Sequence, residues 1–245
     1  MPELDPFAGL SAVLAAAPVQ VDPHRQSRKG VPEIVYAAGK TPSVALLAVR
    51  ELLARGPTGR VLVSRASEDL VRFLEGELRA EEVSVLGSGP TLLIASKGSL
   101  PPVETGGVVG LLTAGASDAP VADEAAFVAR EMGCRVVRAD DVGVAGLHRL
   151  EAPLRSLREQ GADVVIVAAG MDGALPSVVS GLVDVPVIGL PTSIGYGLGG
   201  GGVAALLSML QTCAPGLVVV NIDNGVGAGA TAALLANRVA AARRS

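Results

Sequence analysis

Two cysteines and a few carboxylates are the side chains of this sequence best suited to covalent or acid–base chemistry. Cys213 lies in the stretch SMLQTCAPGLVVVNIDNG (208–225), where an apolar helical segment ends and an apolar strand begins. An isolated cysteine in such a place is either a small apolar residue that fills a corner or a nucleophile. Cys134 begins a strand after a helix-ending glycine, and we interpret it as a core residue.

Two short loops hold further candidates. The loop TAGASDAP (113–120) offers Ser117 and Asp118, which either cap the next helix or help to bind an anion at its start. The loop AAGMDGALPSVVSG (168–181) places Gly170 and Asp172 directly after a strand. The carboxylate of Asp172 is either a first-turn charge favoured by the helix dipole or an acid–base group.

Two longer loops are rich in glycine, GLPTSIGYGLGGGG (189–202) and NIDNGVGAGA (221–230). Such loops let backbone amides approach a phosphate or a flat ring closely, without specifying which. Our candidate substrate contacts in these loops are Thr192, Ser193, Gly195, Gly200, Asn221, Asp223 and Asn224.

A basic stretch, DPHRQSRKGVPEIVYAAGKT, lies near the N-terminus. Its cations Arg25, Arg28, Lys29 and Lys40 either contact phosphates or form a solvated charged surface. The two histidines, His24 and His148, lie outside the four loops, which argues against a Ser–His–Asp hydrolase. The sequence also lacks a GxxxxGK[ST] motif and a strand-linked GxGxxG motif, the usual nucleotide-binding signatures.

The elements that position these residues alternate between strand and helix. From residue 108 onward, five strands alternate with helical segments, one of which is predicted over GLHRLEAPLRSLREQG (146–161). Four of the strands are apolar without in/out alternation, a pattern typical of a parallel sheet covered on both faces. The fold class is therefore α/β, with a three-layer αβα core at residues 103–245 and a smaller α/β domain at residues 1–102. Residues 1–20 are predicted to form a short Ala-rich helix. Functional sites in parallel sheets lie at the carboxyl ends of the strands.

Composition excludes several classes of protein. A net charge of −4 gives no general attraction for nucleic acid or anionic lipid. Two cysteines without CxxC spacing disfavour a disulfide scaffold or a structural zinc site. No apolar run is long enough to span a membrane, and the N-terminus has no basic signal-peptide region. We expect a cytoplasmic protein with neither a nucleic-acid nor a membrane partner.

Several long motifs in one order resemble a known family. Part of the chain resembles the core of the class I aminoimidazole ribonucleotide carboxylases (mutases) of purine biosynthesis. The stretches that carry this resemblance are GASD, AAGMDGALPSVVSGLVDVPVIGLPTS and the two Gly-rich loops. Nearly the whole chain is similar to the LarB family of carboxylase/hydrolases. This similarity also includes the stretches RKGVPEIVYAAGKTP, DVGVAGLHRL and LLSMLQTCAPGLVVVNIDNGVGAGATAALLAN. The purine enzymes have histidine in an A-H-L-P motif that reads G-A-L-P here, with Ala174 in its place, which makes the mutase the weaker reading.

The LarB resemblance implies the first step of nickel-pincer nucleotide biosynthesis. Nicotinic acid adenine dinucleotide would be carboxylated by CO2 or bicarbonate at C5 of its pyridine ring, through an adduct with a cysteine. Hydrolysis of the phosphoanhydride would then yield pyridinium-3,5-biscarboxylic acid mononucleotide and AMP. The alternatives are an aminoimidazole ribonucleotide mutase and a non-catalytic nucleotide-binding protein.

The resemblance also implies roles for individual residues. Cys213, in the family's Cys-Ala-Pro-Gly position, would be the nucleophile, and Asp172, where the family has Glu, the acid–base carboxylate. A divalent ion, Mg²⁺, is expected for the hydrolysis, with Asp118 and Asp223 as its candidate ligands. The related carboxylases are octamers, so we expect a homo-octamer with sites at subunit junctions.

Overall fold

The computed structural model describes residues 19–87 and 89–245. The chain divides into two compact units, Met1–Leu100 and Pro101–Ser245. The boundary predicted from sequence, between residues 102 and 103, lies two residues from this division. The predicted helix at 1–20 falls almost wholly outside the described residues.

The first unit is a small α/β structure with a mixed sheet. Its elements are α1 (Arg25–Lys29), β1 (Ile34–Tyr36), α2 (Pro42–Arg55), β2 (Arg60–Ser64), α3 (Glu68–Leu78), β3 (Val83–Leu86) and β4 (Leu92–Ser96). The strand order is β1-β2-β4-β3, in which β1 and β2 are parallel and the other pairs antiparallel. Thr41 and Ser67 accept hydrogen bonds from the first turns of α2 and α3, as N-caps do.

The second unit is built on a fully parallel five-stranded sheet. Its strands are β5 (Val108–Thr113), β6 (Arg135–Ala139), β7 (Val164–Ala169), β8 (Val187–Pro191) and β9 (Leu217–Val219), in the order β6-β5-β7-β8-β9. Every residue of β5, β7 and β8 is buried, which explains why these strands read as continuous apolar runs.

Helices cover both faces of this sheet. They are α4 (Ala119–Glu131), α5 (Glu151–Glu159), α6 (Leu175–Ser180), α7 (Val203–Leu210) and α8 (Gly225–Arg244). Helices α5, α6 and α7 pack with Val165, Val167 and other sheet residues in one apolar cluster. On the other face α4 and α8 pack closely: a Cβ at Gly229 would lie 2.4 Å from the Ala125 carbonyl oxygen. The predicted three-layer αβα fold is confirmed.

One predicted helix begins later than the sequence indicates. We expected a helix from residue 146 to 161, but Val144–Leu150 is a 3₁₀ segment and α5 begins only at Glu151. The break lies at Gly146, whose φ of −141° and ψ of 75° are not helical. The Arg149 guanidinium donates to the carbonyl oxygen of Asp141 (2.9 Å), which ties the segment to the loop after β6. His148 therefore lies in an exposed 3₁₀ turn.

Candidate active site

Four loops meet at the carboxyl edge of the parallel sheet, as the sequence predicted. They follow β5, β7, β8 and β9, and hydrogen bonds link each to a neighbour. The Thr192 hydroxyl donates to Asp118 Oδ1 (2.6 Å), and the Ser193 amide donates to Asp223 Oδ1 (2.7 Å). The Met171 amide donates to the Ile194 carbonyl oxygen (2.8 Å). The loop after β8 thus holds the other three in place.

Asp118 is the buried anchor of this arrangement. Its side chain is 4% exposed, and its second carboxylate oxygen accepts the amide of Gly115 at 2.9 Å. Both oxygens are therefore engaged by protein donors, and the residue joins the ends of β5 and β8. Ser117, its neighbour, is exposed and faces solvent at the same edge.

Replacing Thr192 by valine tests this anchor. The valine cannot donate to the buried Asp118 carboxylate, so we expect the free energy of unfolding to fall by about 1–3 kcal/mol. Urea denaturation measures it. The matched control is Ser193→Ala, which keeps the backbone donor to Asp223 and should change stability by less than about 0.5 kcal/mol. Equal stability of the two variants would refute the anchoring role.

Glycines in these loops differ in how closely the neighbouring loops pack against them. A Cβ at Gly170 would lie 2.1 Å from the Ile194 carbonyl oxygen and 2.7 Å from the Thr192 hydroxyl, so no side chain fits there. Gly195 has a φ of 148° and packs against Met171. At Gly200 the nearest neighbour of a Cβ is the Gly197 carbonyl oxygen at 3.4 Å. Only Gly200 of these three leaves room beside its backbone.

Asp172 projects from the turn between β7 and α6. It is exposed, and its one hydrogen bond among the described residues is a long contact of 3.4 Å from the Ala174 amide. The flanking residues Met171 and Gly173 have φ values of 50° and 60°, both in the left-handed region. Such a backbone is unfavourable for methionine, and strained turns of this kind concentrate at functional sites. The carboxylate is therefore presented to solvent at the carboxyl edge.

The loop after β9 is organised by its own side chains. Asn224 is the N-cap of α8 and accepts the Gly227 amide at 2.8 Å. Asn221 is exposed, and its side chain accepts the amide of Ile222 (2.9 Å). Asp223 has a φ of 55° while it holds Ser193. These three residues lie at the edge where the sequence predicted them.

A buried carboxylate that the sequence analysis missed supports the same loop. Glu124, on α4, is 5% exposed and accepts the Val226 amide at the start of α8 (3.0 Å). Because the two residues are far apart in the chain, no local pattern reveals the contact. The signal was a charged residue among the buried alanines of α4.

The candidate metal ligands do not form a dedicated metal site. Asp118 and Asp223 both accept hydrogen bonds from protein donors. Among residues 19–87 and 89–245, no group of three or more His, Cys, Asp or Glu side chains is arranged to hold a metal ion. A cage of protein ligands for Mg²⁺ is thus not built into the described part of the chain.

Cys213 lies at the edge of the sheet formed by the amino ends of the strands, opposite the carboxyl edge where Asp172 lies. It is exposed in the turn between the end of α7 and the start of β9, and nearby the Ser180 hydroxyl donates to the Pro215 carbonyl oxygen (2.9 Å). Asp172 follows β7, which runs parallel to β8 and β9. A five-residue strand such as β8 spans roughly 13–16 Å. Within one chain the structure does not bring the thiol and the carboxylate together.

Cys134 has the environment of a structural residue. It is buried at the start of β6, and its thiol contacts Asn237 Oδ1 at 3.1 Å. Burial raises the pKa of this thiol to about 11, so it stays protonated at neutral pH. Of the two cysteines, Cys213 is the one that solvent or a substrate can reach.

In the first unit, the predicted phosphate contacts have different surroundings. Arg28 forms an ion pair with Asp22, which raises the pKa of the guanidinium. The Lys40 ammonium instead donates to the Tyr36 carbonyl oxygen (2.6 Å) and lies 5.9 Å from the centroid of the Tyr36 ring. All of these groups are exposed or partly exposed.

The sequence of the second unit matches a carboxylase family. Residues 108–245 match AIR carboxylase, and residues 15–85 match the LarB/PurE-like N-terminal domain. The chain belongs to the AIR carboxylase family and has a LarB-like N-terminal domain.

Individual relatives agree with this assignment. The chain is 42% identical over 222 residues to an uncharacterized protein of Methanocaldococcus jannaschii, covering 89% of this chain and 84% of that protein. It is 33% identical to the N5-carboxyaminoimidazole ribonucleotide mutase of the same organism, over 51% of this chain and 73% of the relative. The mutase of Mycobacterium tuberculosis is 34% identical, over 54% of this chain and 72% of the relative.

The described residues contain no helix long and apolar enough to cross a membrane.

Proposed function

We propose that this protein carboxylates nicotinic acid adenine dinucleotide at C5 of the pyridine ring and hydrolyses its phosphoanhydride. The products are pyridinium-3,5-biscarboxylic acid mononucleotide and AMP. The observation that supports this best is the exposed thiol of Cys213, in a chain that has Ala174 in the position where the purine enzymes have histidine. A thiol suits covalent chemistry on an electron-poor ring, and alanine cannot move a proton.

The thiolate is needed because C5 of a pyridinium ring does not attack CO2. Addition of the Cys213 sulfur to C4 or C6 forms a C–S bond and converts the cation to a neutral enamine. The electron pair of the enamine forms the bond from C5 to CO2. A base removes the C5 proton, and the sulfur leaves with its bonding pair, which restores the aromatic ring. These reaction steps consume no oxidant and regenerate the thiolate.

Asp172 is the base in this proposal. Its carboxylate is exposed at the edge where the four loops meet, and it makes only one long hydrogen bond among the described residues. It therefore accepts a proton without breaking a strong hydrogen bond to the protein. Because aspartate is one methylene shorter than the glutamate typical of the LarB family, either its loop lies closer to the ring or the C5 proton reaches the carboxylate through one water molecule.

The separation of Cys213 and Asp172 leads us to propose a homo-oligomer, an octamer as in the related carboxylases. A thiol and a carboxylate at opposite edges of one sheet act on the same ring when they come from two copies of the chain. The surface beside Cys213 suits such a contact. Val203, Leu207 and Leu210 form an exposed apolar stripe on α7 that ends next to the cysteine.

The sequence around this stripe is uncharged. Between Asp184 and Asp223 no side chain is acidic, basic or histidine. Tyr196 and Leu198, which precede α7, are 82% and 108% exposed. With the α7 stripe these residues expose largely apolar surface, which is typical of a contact between proteins.

The co-substrate is CO2 or bicarbonate. A Mg²⁺ ion would be held largely by the phosphates of the substrate, the usual mode for that ion, because Asp118 and Asp223 are engaged by protein donors.

One assay tests the proposed function. The purified protein is incubated with nicotinic acid adenine dinucleotide, Mg²⁺ and bicarbonate, and the products are identified by mass spectrometry. We expect the dicarboxylated mononucleotide and AMP, and neither without the dinucleotide. Tight dinucleotide binding without any carboxylated product would instead identify a non-catalytic binding protein.

A second candidate function follows from the named relatives. Proteins 33–34% identical to this chain are N5-carboxyaminoimidazole ribonucleotide mutases. The same purified protein is therefore offered N5-carboxyaminoimidazole ribonucleotide. With Ala174 in place of the proton-shuttling histidine we expect no conversion, and turnover of this substrate would favour the mutase.

A further inference from the structure

The first unit has an exposed aromatic ring flanked by two cations. Tyr36, the last residue of β1, is 50% exposed. The Lys40 ammonium lies 5.9 Å and the Arg65 guanidinium carbon 6.0 Å from the centroid of its ring. Because β1 and β2 are adjacent and parallel, Tyr36 at the end of β1 and Arg65 directly after β2 lie at the same edge of the sheet. Parallel strand ends are where α/β structures bind ligands.

Two neighbouring arginines form ion pairs, whereas Lys40 contacts a neutral group. Arg25 pairs with Glu33 at 2.9 Å, and Arg28 pairs with Asp22. The Lys40 ammonium donates to a neutral group, the Tyr36 carbonyl oxygen, which leaves its charge uncancelled by that contact. Of the cations predicted to contact phosphates, Lys40 is the one that lies on the Tyr36 ring among the described contacts, and Arg65 lies on the same ring.

The backbone holds both cations against the ring. The Lys40 amide donates to the Ala37 carbonyl oxygen (3.0 Å), which closes a tight turn through Gly39 with a φ of 77°. Arg65 has a φ of 58°, a left-handed conformation that costs an ordinary residue about 1–2 kcal/mol. The turn and the left-handed arginine place the two cationic groups on one tyrosine.

We propose that Tyr36, Lys40 and Arg65 form a binding site for a nucleoside monophosphate group. The phosphoryl oxygens pair with the ammonium and the guanidinium, which recognises phosphate in a forked geometry. The exposed part of the Tyr36 ring packs against the sugar or base. The site rests on the proposed function in one respect: its natural ligand would be the AMP that the proposed reaction releases.

Binding of AMP to the full-length chain tests the site. Titrations are made by calorimetry in the Cys213→Ala background and without bicarbonate, so that the result does not depend on any chemistry. We expect Lys40→Ala combined with Arg65→Ala to weaken AMP binding at least tenfold, and Tyr36→Leu to weaken AMP while leaving inorganic phosphate unchanged. Arg55→Ala, an exposed arginine paired with Glu51, is the matched control and should bind AMP normally.

The outcomes separate this site from the proposed function. If the parent binds no AMP, or if the Lys40/Arg65 variant binds AMP as well as the parent does with an unchanged thermal midpoint, the site is refuted even when the wild-type protein carboxylates the dinucleotide. Equal weakening by Arg55→Ala would show a general charge effect and would also refute it. If AMP binding follows our expectation but no carboxylated product forms, the site stands and the proposed reaction fails. Equal affinity for adenosine and AMP would overturn the phosphate contact.

Discussion

Replacing Cys213 by alanine is expected to abolish formation of the dicarboxylated mononucleotide, with a loss of rate of at least about 10³-fold. Without the thiolate no enamine forms, and C5 of the pyridinium ring stays electron-poor toward CO2. The side chain is exposed in a turn, so its truncation leaves no cavity and the fold should be unchanged. Product formation is followed by mass spectrometry under initial-rate conditions, and the thermal midpoint is compared with that of the wild type.

The other cysteine supplies the matched control. Cys134→Ala removes a buried thiol whose pKa is raised to about 11, so it takes no part in chemistry at neutral pH. We expect a loss of stability on the order of 1 kcal/mol and a nearly unchanged rate. Intact-protein mass spectrometry of the wild type during turnover should show a pyridine adduct that the Cys213→Ala variant lacks. Full activity of that variant would exclude the thiolate mechanism.

The parallel sheet was predictable because burial on both faces leaves a local signature. Strands such as Val164–Ala169 read as uninterrupted apolar runs, and each is followed by a polar or glycine-rich loop. The chain order of strands and loops then sets which edge a residue occupies. Asp172 follows a strand and Cys213 precedes one, so the sequence already contained their separation, although only the parallel pairing of β7, β8 and β9 makes it explicit.

Contacts between distant residues were not predictable in the same way. Asp118 looked like a helix cap or an anion contact, but its carboxylate is held by Thr192, which lies beyond three further strands in the chain. Gly170 was a candidate site residue by its place directly after a strand, whereas the Ile194 carbonyl oxygen occupies the space beside it. Such roles depend on which loops become neighbours across the sheet, and one residue type in one loop carries no information about that.

The first unit shows a similar limit. Its elements follow from local patterns, with Thr41 and Ser67 as caps. The position of β4 between β2 and β3, antiparallel to both, makes the sheet mixed and has no local signature. Arg65 was not singled out because its role depends on β2 pairing with β1, which places it beside Tyr36.

Mixing two inactive variants is expected to restore activity if the site is shared between copies. Cys213→Ala chains keep the carboxylate, and Asp172→Asn chains keep the thiol. Each is expected to be inactive alone. In an oligomer assembled at random from equal amounts, about a quarter of the sites combine Asp172 of one chain with Cys213 of another, so activity should return to about a quarter of the wild-type level. The two chains are co-expressed with different tags and purified on both.

The separation of the two groups in the sheet makes this outcome specific. Because a strand of roughly 13–16 Å lies between the two edges, a site formed within one chain requires the turn at Cys213 to leave β9 and cross the sheet. In that case the mixture contains no complete site and stays inactive, which would contradict the shared site. The variant Leu207→Glu is a second test of the shared site. It places a charge in the exposed apolar stripe of α7 without touching either reactive group. We expect it to lower both the sedimentation coefficient and the activity, whereas a site within one chain would keep its activity as the oligomer dissociates.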